Sequence, residues 1–283
     1  MYGTPPKKER YITDKIFERA CMELGDRSCN LEISAYGETF MHPKSFEYLS
    51  TARRLCPKAC IIVATNGAFL DRKRCEEIVD SGIDHLSFSL NAGTEKSYKW
   101  LTGADNYGQI CRNLEMLVRI RNKRSAKHLK ITTHIIGIKE LSREFDDFIR
   151  RWSGITDDAT VRNYGNWAGM VDRNEVTPAE GQKIPSKRYP CIWLWYATKI
   201  EPNGDVSKCF VHVTGDRDPL GNILKQGFES IWKGEKLRRL RELHCDNRYD
   251  SVELCKDCIV WSLFPDVWFN LKRHVVTGDI RWL

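Results

Sequence analysis

The sequence predicts an α/β fold in which a parallel sheet, closed as a barrel or partial barrel, is followed by a small cysteine-rich region. Three observations lead there. Short apolar runs alternate with amphipathic, helix-length segments over about residues 10 to 170, the pattern of βα units joined by right-handed crossovers. The unusual residues of that stretch, Gly37, Glu38, Thr65, Asn66, Ser89 and Asn91, fall at the C-terminal ends of the predicted strands, where α/β folds gather function. Four cysteines, Cys191, Cys209, Cys255 and Cys258, then occupy the last third of the chain.

The elements follow in order. ITDKIFERACMELG carries Ile12, Ile16, Phe17, Ala20 and Leu24 at helical spacing, with Gly25 as the stop. A strand follows at NLEISAYG, residues 30–37, and Pro43 opens a second helix that ends near Cys56-Pro57. CIIVAT reads as a short buried strand. The alternation continues with a helix over 71–80, a strand HLSFSL, helical segments over 94–121, a strand KITTHIIG, a helix from Ser142 to about Trp152 and a strand near TVRNYG. Farther on, IEPNGDVSKC reads as a hairpin about Asn203-Gly204, the pair favoured where a two-residue turn needs positive φ twice. Such a hairpin returns Cys209 towards Cys191.

Composition narrows the classes. At 283 residues the chain accommodates one large domain and a small one. It has no 18-residue apolar run, and MYGTPPKKER lacks the apolar stretch of a signal peptide, so a cytoplasmic protein without a membrane partner is expected. Eleven cysteines in a chain of this size read as reduced thiols. Cys21, Cys29, Cys56, Cys60, Cys75 and Cys111 have no ligand spacing and serve as small core hydrophobes. The net charge of +7 is modest, and the basic run at 119–130 is expected to be a solvated connection between helix and strand, with no nucleic-acid partner.

Thiolates ligate zinc and iron-sulfur clusters, and a C-x2-C pair such as Cys255/Cys258 can grip one centre from a single turn. The pattern C-x12-G-x4-C over Cys191 to Cys209, followed by C-x2-C, resembles the SPASM or shorter twitch module behind the radical S-adenosylmethionine (radical SAM) fold. The likeness covers residues 188–261 and includes the Gly-Asn turn and the helix with Ile231 and Trp232. It implies that Cys191, Cys209, Cys255 and Cys258 hold one auxiliary 4Fe-4S cluster. The full module has further cysteines that this chain lacks after Cys258, and Cys245, ten residues before Cys255, is a possible substitute ligand that the family pattern does not use. A structural four-cysteine zinc site is the alternative.

The strand ends agree. AYGETF at 35–40 resembles the family's Gly-Gly-Glu-Pro motif with Gly37 and Glu38 kept, TNG at 65–67 matches the next strand end, and SFSLNAGT at 87–94 the one after. THIIG with Ile138 to Glu140 is a weaker fourth match. The resemblance implies an incomplete parallel (β/α)6 partial barrel over residues 1–175, an auxiliary-cluster domain over 185–265 and a tail over 266–283. It implies that Gly37, Glu38, Thr65, Asn66, Ser89 and Asn91 bind S-adenosylmethionine, Glu38 either accepting from the cofactor's amino group or fixing the loop.

The family's C-x3-C-x2-C loop, which binds the cluster that reduces S-adenosylmethionine, is not in the sequence. The expectation is a fragment or truncated gene model rather than a natural pseudoenzyme, inactive by itself. The complete protein would carry S-adenosylmethionine, a second 4Fe-4S cluster, a peptide or small-molecule substrate and a low-potential donor such as ferredoxin or flavodoxin. The catalytic residues and the substrate are not legible. The competing class is a non-catalytic binding module whose thiolates hold zinc.

Overall fold

A computed structural model describes residues 11–33, 37–166, 176–211 and 218–263. The chain falls into two compact units. The first, Phe17–Tyr164 with Thr177–Ala179, begins within helix α1 (Asp14–Leu24) and continues β1 (Asn30–Glu32), α2 (Ser45–Leu55), β2 (Cys60–Thr65), α3 (Arg72–Asp80), β3 (His85–Asn91), α4 (Glu95–Thr102), α5 (Tyr107–Lys123), β4 (Lys130–Gly137), α6 (Phe145–Ser153) and β5 (Asp158–Asn163). The five strands form one sheet in the order β1-β2-β3-β4-β5, every pair parallel. Sequential parallel neighbours joined by helices are the partial-barrel architecture the alternation predicts.

Strand parity explains the core. Ile61 and Val63, Leu86, Phe88 and Leu90, and Ile131 and Ile135 are completely buried at alternate positions of β2, β3 and β4, forming the layer under the helices. Helix α5 meets it with Ile110, Leu114, Leu117 and Val118, spaced at three, four and seven residues. The opposite parity is polar: Ser87 lies beside Thr132, and Ser89 beside His134.

Element ends follow local chemistry. Gly25 takes φ +56 and its N–H bonds the carbonyl of Cys21, closing α1. Asp71 caps α3 by accepting from the amide of Arg74 at 2.8 Å, and Thr94 with Ser97 forms a capping box on α4. Two boundaries differ from expectation. The stretch from Ser142 begins as a 3-10 turn, Lys139–Glu144, and becomes α-helical at Phe145. Strand β1 spans Asn30–Glu32, while residues 34–36 of the expected strand lie outside the described residues.

The basic run at 119–130 is only partly a solvated connection. Arg121 is buried, where it donates to the carbonyl of Leu129 and pairs with Asp157. Arg124 pairs with Asp80 and Glu76. Both guanidiniums are thus neutralised by the packing of α5 against its neighbours.

The second unit comprises residues Gly165–Val176 and Glu180–Leu283 together with an N-terminal stretch. Its described elements are α7 (Trp193–Tyr196), β6 (Asp205–Val206), β7 (Gly221–Asn222), α8 (Phe228–Trp232), α9 (Glu235–Cys245) and α10 (Glu253–Lys256). The expected hairpin forms, with a different turn. Gly204 has φ +88 while Asn203 is not among the positive-φ residues, and the amide of Gly204 bonds the carbonyl of Glu201 at 2.8 Å. Pro202 presets φ near −65° for the first corner of a type I turn, so the loop has three residues, with glycine in the left-handed position after the turn. The amide of Ser207 then reaches the carbonyl of Lys199, and β6 pairs on its other edge with β7. The tail over 266–283 lies outside the described residues.

Candidate metal centre and cofactor rim

At the rim of the first unit, Glu38 binds three groups of its own chain. Its Oε1 accepts from the Thr65 hydroxyl at 2.7 Å and the Phe40 amide at 3.2 Å, and its Oε2 accepts from the Asn66 amide at 2.7 Å. Burial raises the pKa of this carboxyl, and those three hydrogen bonds work against the rise. Thr65 is 3% exposed, and its hydroxyl also accepts from the Gly67 amide at 3.0 Å. The Asn66 side chain accepts from the Ala68 amide at 2.8 Å. Glu38 and Thr65 therefore brace the loop after β2.

Gly67 is required by packing as well as conformation. Its φ is +73, and a Cβ there would stand 1.9 Å from the Phe88 ring. Its carbonyl accepts from the buried Asn113 amide at 2.9 Å. Gly37 is different: a Cβ on it would meet nothing within 4 Å. At the end of β3 the register slips between Ser89 and Asn91, and Asn91 adopts φ +65, a bulge that re-aims the strand end. The next loop is held by Glu144, which accepts from the amide of Gly93 and the hydroxyl of Ser97, both at 2.8 Å. Glu144 carries no motif and is not foreseen from the sequence.

The polar parity of the same sheet holds further groups that sequence reasoning misses. His134 is 4% exposed, and burial followed by the Arg162 charge pushes its pKa down to about 3. Glu32 and Arg162 are exposed to solvent, yet desolvation by the surrounding chain lowers Arg162 and raises Glu32, each opposed by the other's charge. These residues mark a polar face whose members lie on β1, β4 and β5.

In the second unit, Cys191, Cys209, Cys255 and Cys258 line one cavity, with Leu194, Leu240, Val252 and Trp261 among its apolar walls. Cys191 precedes α7, Cys209 follows the hairpin, Cys255 sits in α10, and the amide of Cys258 bonds the carbonyl of Cys255 at 3.2 Å. Among the described residues no group of three His, Cys, Asp or Glu side chains is placed to hold a single metal ion. Burial and then the neighbouring sulfur of Cys209 drive the pKa of Cys191 strongly upward, and the same causes push Cys255 up to about 12. Gathering thiols in an apolar pocket without a cation opposes their ionisation, the electrostatic situation a metal reverses. Cys245 is exposed and does not line the cavity.

Three residues without any sequence signature organise this cavity. Asn166, 1% exposed, donates to the carbonyl of Asp257 at 2.7 Å and accepts from the amide of Ile259 at 3.0 Å, clasping the chain on both sides of Cys258. Arg188 donates to the carbonyl of Cys255 at 2.8 Å and lies 4.5 Å above the Tyr249 ring. His244 is fully buried, with its Nδ1 accepting from the Cys191 amide at 3.2 Å and its Nε2 standing 3.4 Å from the Cys255 sulfur. Of the three, only His244 had a readable position, in register with Leu237 and Leu240 on the buried stripe of α9.

The model of the radical SAM superfamily matches residues 2–151, and that of the SPASM iron-sulfur cluster-binding domain matches residues 191–259. The chain therefore belongs to the radical SAM superfamily of enzymes. Among its relatives is the S-adenosyl-L-methionine-dependent 2-deoxy-scyllo-inosamine dehydrogenase of Niallia circulans, 22% identical over 227 residues, 79% of this chain and 70% of that one. An uncharacterised protein of Methanocaldococcus jannaschii is 30% identical over 86 residues, so that the match spans 30% of this chain and 29% of the relative. Streptococcus suis SuiB, solved with its precursor peptide SuiA, superposes with a TM-score of 0.59 at 17% identity, covering 91% of this chain and 65% of SuiB. This last likeness establishes the fold. No described helix is long and apolar enough to cross a membrane.

Proposed function

We propose that Cys191, Cys209, Cys255 and Cys258 hold one auxiliary 4Fe-4S cluster, and that Gly37, Glu38, Thr65, Asn66, Ser89 and Asn91 form the S-adenosylmethionine rim of a radical SAM oxidoreductase or maturase. The observation that carries the reading is the meeting of four thiols, from three separate segments, on one cavity. The match of residues 191–259 to an iron-sulfur cluster-binding domain favours a cluster, in which each thiolate binds a different iron, over one tetrahedral zinc. The apolar walls keep water from the sulfurs, and Asn166 and Arg188 fix the loop that presents Cys255 and Cys258.

At the rim the roles divide. Glu38 and Thr65 hold the loop from beneath, because their polar atoms serve the chain's own amides and hydroxyls. A Cβ on Gly37 would meet nothing within 4 Å, which supports a close approach of its backbone to the methionine moiety, and the left-handed Asn91 turns the next strand end at the same rim. When bound, S-adenosylmethionine supplies radical chemistry at an unactivated carbon, using a second 4Fe-4S cluster and an electron from a low-potential donor of the ferredoxin or flavodoxin kind. The substrate is a peptide or a small molecule: SuiB was solved with a precursor peptide, and the Niallia circulans relative is an inosamine dehydrogenase. Eleven cysteines with no disulfide among them suit the reducing cytoplasm.

The test is chemical analysis after anaerobic reconstitution of the chain with iron and sulfide. About four irons and four sulfides per chain, with a brown colour, support the reading. A colourless protein with one zinc overturns it.

A further inference from the structure

The imidazole of His244 touches two of the three thiol-bearing segments at once. Its Nδ1 receives the N–H of Cys191 at 3.2 Å, and its Nε2 faces the Cys255 sulfur at 3.4 Å. A backbone amide can only donate, so Nδ1 is the bare nitrogen, and the ring proton sits on Nε2, directed at the sulfur. The geometry alone fixes this tautomer. The ring is held in place by complete burial and by the Tyr249 ring, which meets it edge-on with centroids 5.5 Å apart.

Resting on the cluster reading above, we infer that His244 is a positioning residue that donates an N–H···S hydrogen bond to the Cys255 thiolate and thereby sets the reduction potential of the auxiliary cluster. A donor on a ligand sulfur withdraws negative charge from the centre. It stabilises the reduced state, which carries one more electron, and so raises the potential. Cys258 also receives a donor, the amide of Val260 at 3.4 Å. That bond is backbone and survives substitution, whereas the bond to Cys255 comes from a side chain that can be exchanged. The same imidazole tells the chain where Cys191 must lie before any iron arrives, since its two nitrogens require both partners.

The experiment is an EPR-monitored redox titration of the reconstituted 283-residue chain as wild type, H244M and H244Q. Methionine keeps bulk and loses the donor. Glutamine keeps an amide donor and an acceptor. In H244M the ratio of reduced to oxidised cluster at a fixed potential is expected to fall about tenfold, equivalent to 59 mV for a one-electron centre. H244Q is expected to return to within about twofold of wild type. Loss of iron in H244M with a wild-type potential in H244Q supports the same role. Wild-type potentials in both variants, an equal shift in both, or loss of iron from both overturns the inference. A wild-type chain that takes up no cluster overturns the cluster reading itself, and the inference falls with it.

Discussion

Strands β2 and β4 of the sheet unit run for six and eight residues, and their alternate side chains are wholly buried; strands β6 and β7 of the cysteine unit have two residues each. The sheet unit therefore holds its rim with hydrogen-bonded backbone and an apolar layer, and the loops are finished by Glu38, Asn113 and Glu144. The cysteine unit has short elements, several single-turn helices and a cavity where a denser unit would have side chains. Units built from short elements gain stability from a disulfide, a metal or another crosslink. On the function proposed above, the contrast teaches that one cofactor surface is prepared by folding and that the other is completed by what it binds.

The largest expected effect separates the units outright. Replacing Cys255 and Cys258 by serine removes half the proposed ligands and should lower amide-exchange protection by more than about tenfold over residues 180–263, with the sheet unit unchanged. Equal loss in both units would break the comparison. Next comes Gly67→Ala, which forces a methyl into the Phe88 ring at a left-handed φ. Urea unfolding should show the sheet unit destabilised by about 3 kcal/mol or more, with iron uptake intact.

A pH effect of similar size belongs to His134. Its folded pKa, about 3, lies below the unfolded value of 6.5, so the unfolded chain binds the extra proton first as pH falls. The stabilising contribution is fully present above pH 6.5 and is lost progressively on acidification towards about 3. H134N should flatten the acid limb of sheet-unit stability; an unchanged slope would show that His134 is not buried neutral. The smallest effect is the sharpest test of ligand identity. Cys245→Ser should leave iron content and colour unaltered, because Cys245 is exposed and off the cavity. A loss of iron would make it a ligand.

Periodicity made the sheet legible because each strand and helix advertises its buried face within a few residues. The misreadings are local conflicts of the same kind. Asn203-Gly204 suggested a two-residue turn, but Pro202 had already chosen the type I corner, and the 3-10 start before α6 depends on loop contacts such as the bond from Lys139 to Thr177. The thiol positions could be read because spacing survives in sequence. Their supports could not: Asn166 reaches Asp257 and Ile259 across more than ninety residues, and His244 reaches Cys191 across fifty-three. Glu144 is equally silent, being an ordinary surface-type carboxylate until the fold lays Gly93 against it.

The braces at the rim grip the chain by its amides as well as by hydroxyls. Glu38 takes the amides of Phe40 and Asn66, and Glu144 takes that of Gly93. An amide is the same whatever side chain it carries, so the loops keep their shape while neighbouring side chains change. For an engineer this separates scaffold from recipe: Ser87, Thr132 and Thr160, on the polar parity of β3, β4 and β5, can be randomised as a library with Glu38, Thr65, Ser89, Asn113 and Glu144 held constant, and new specificities can be sought without redesigning the loops that carry them.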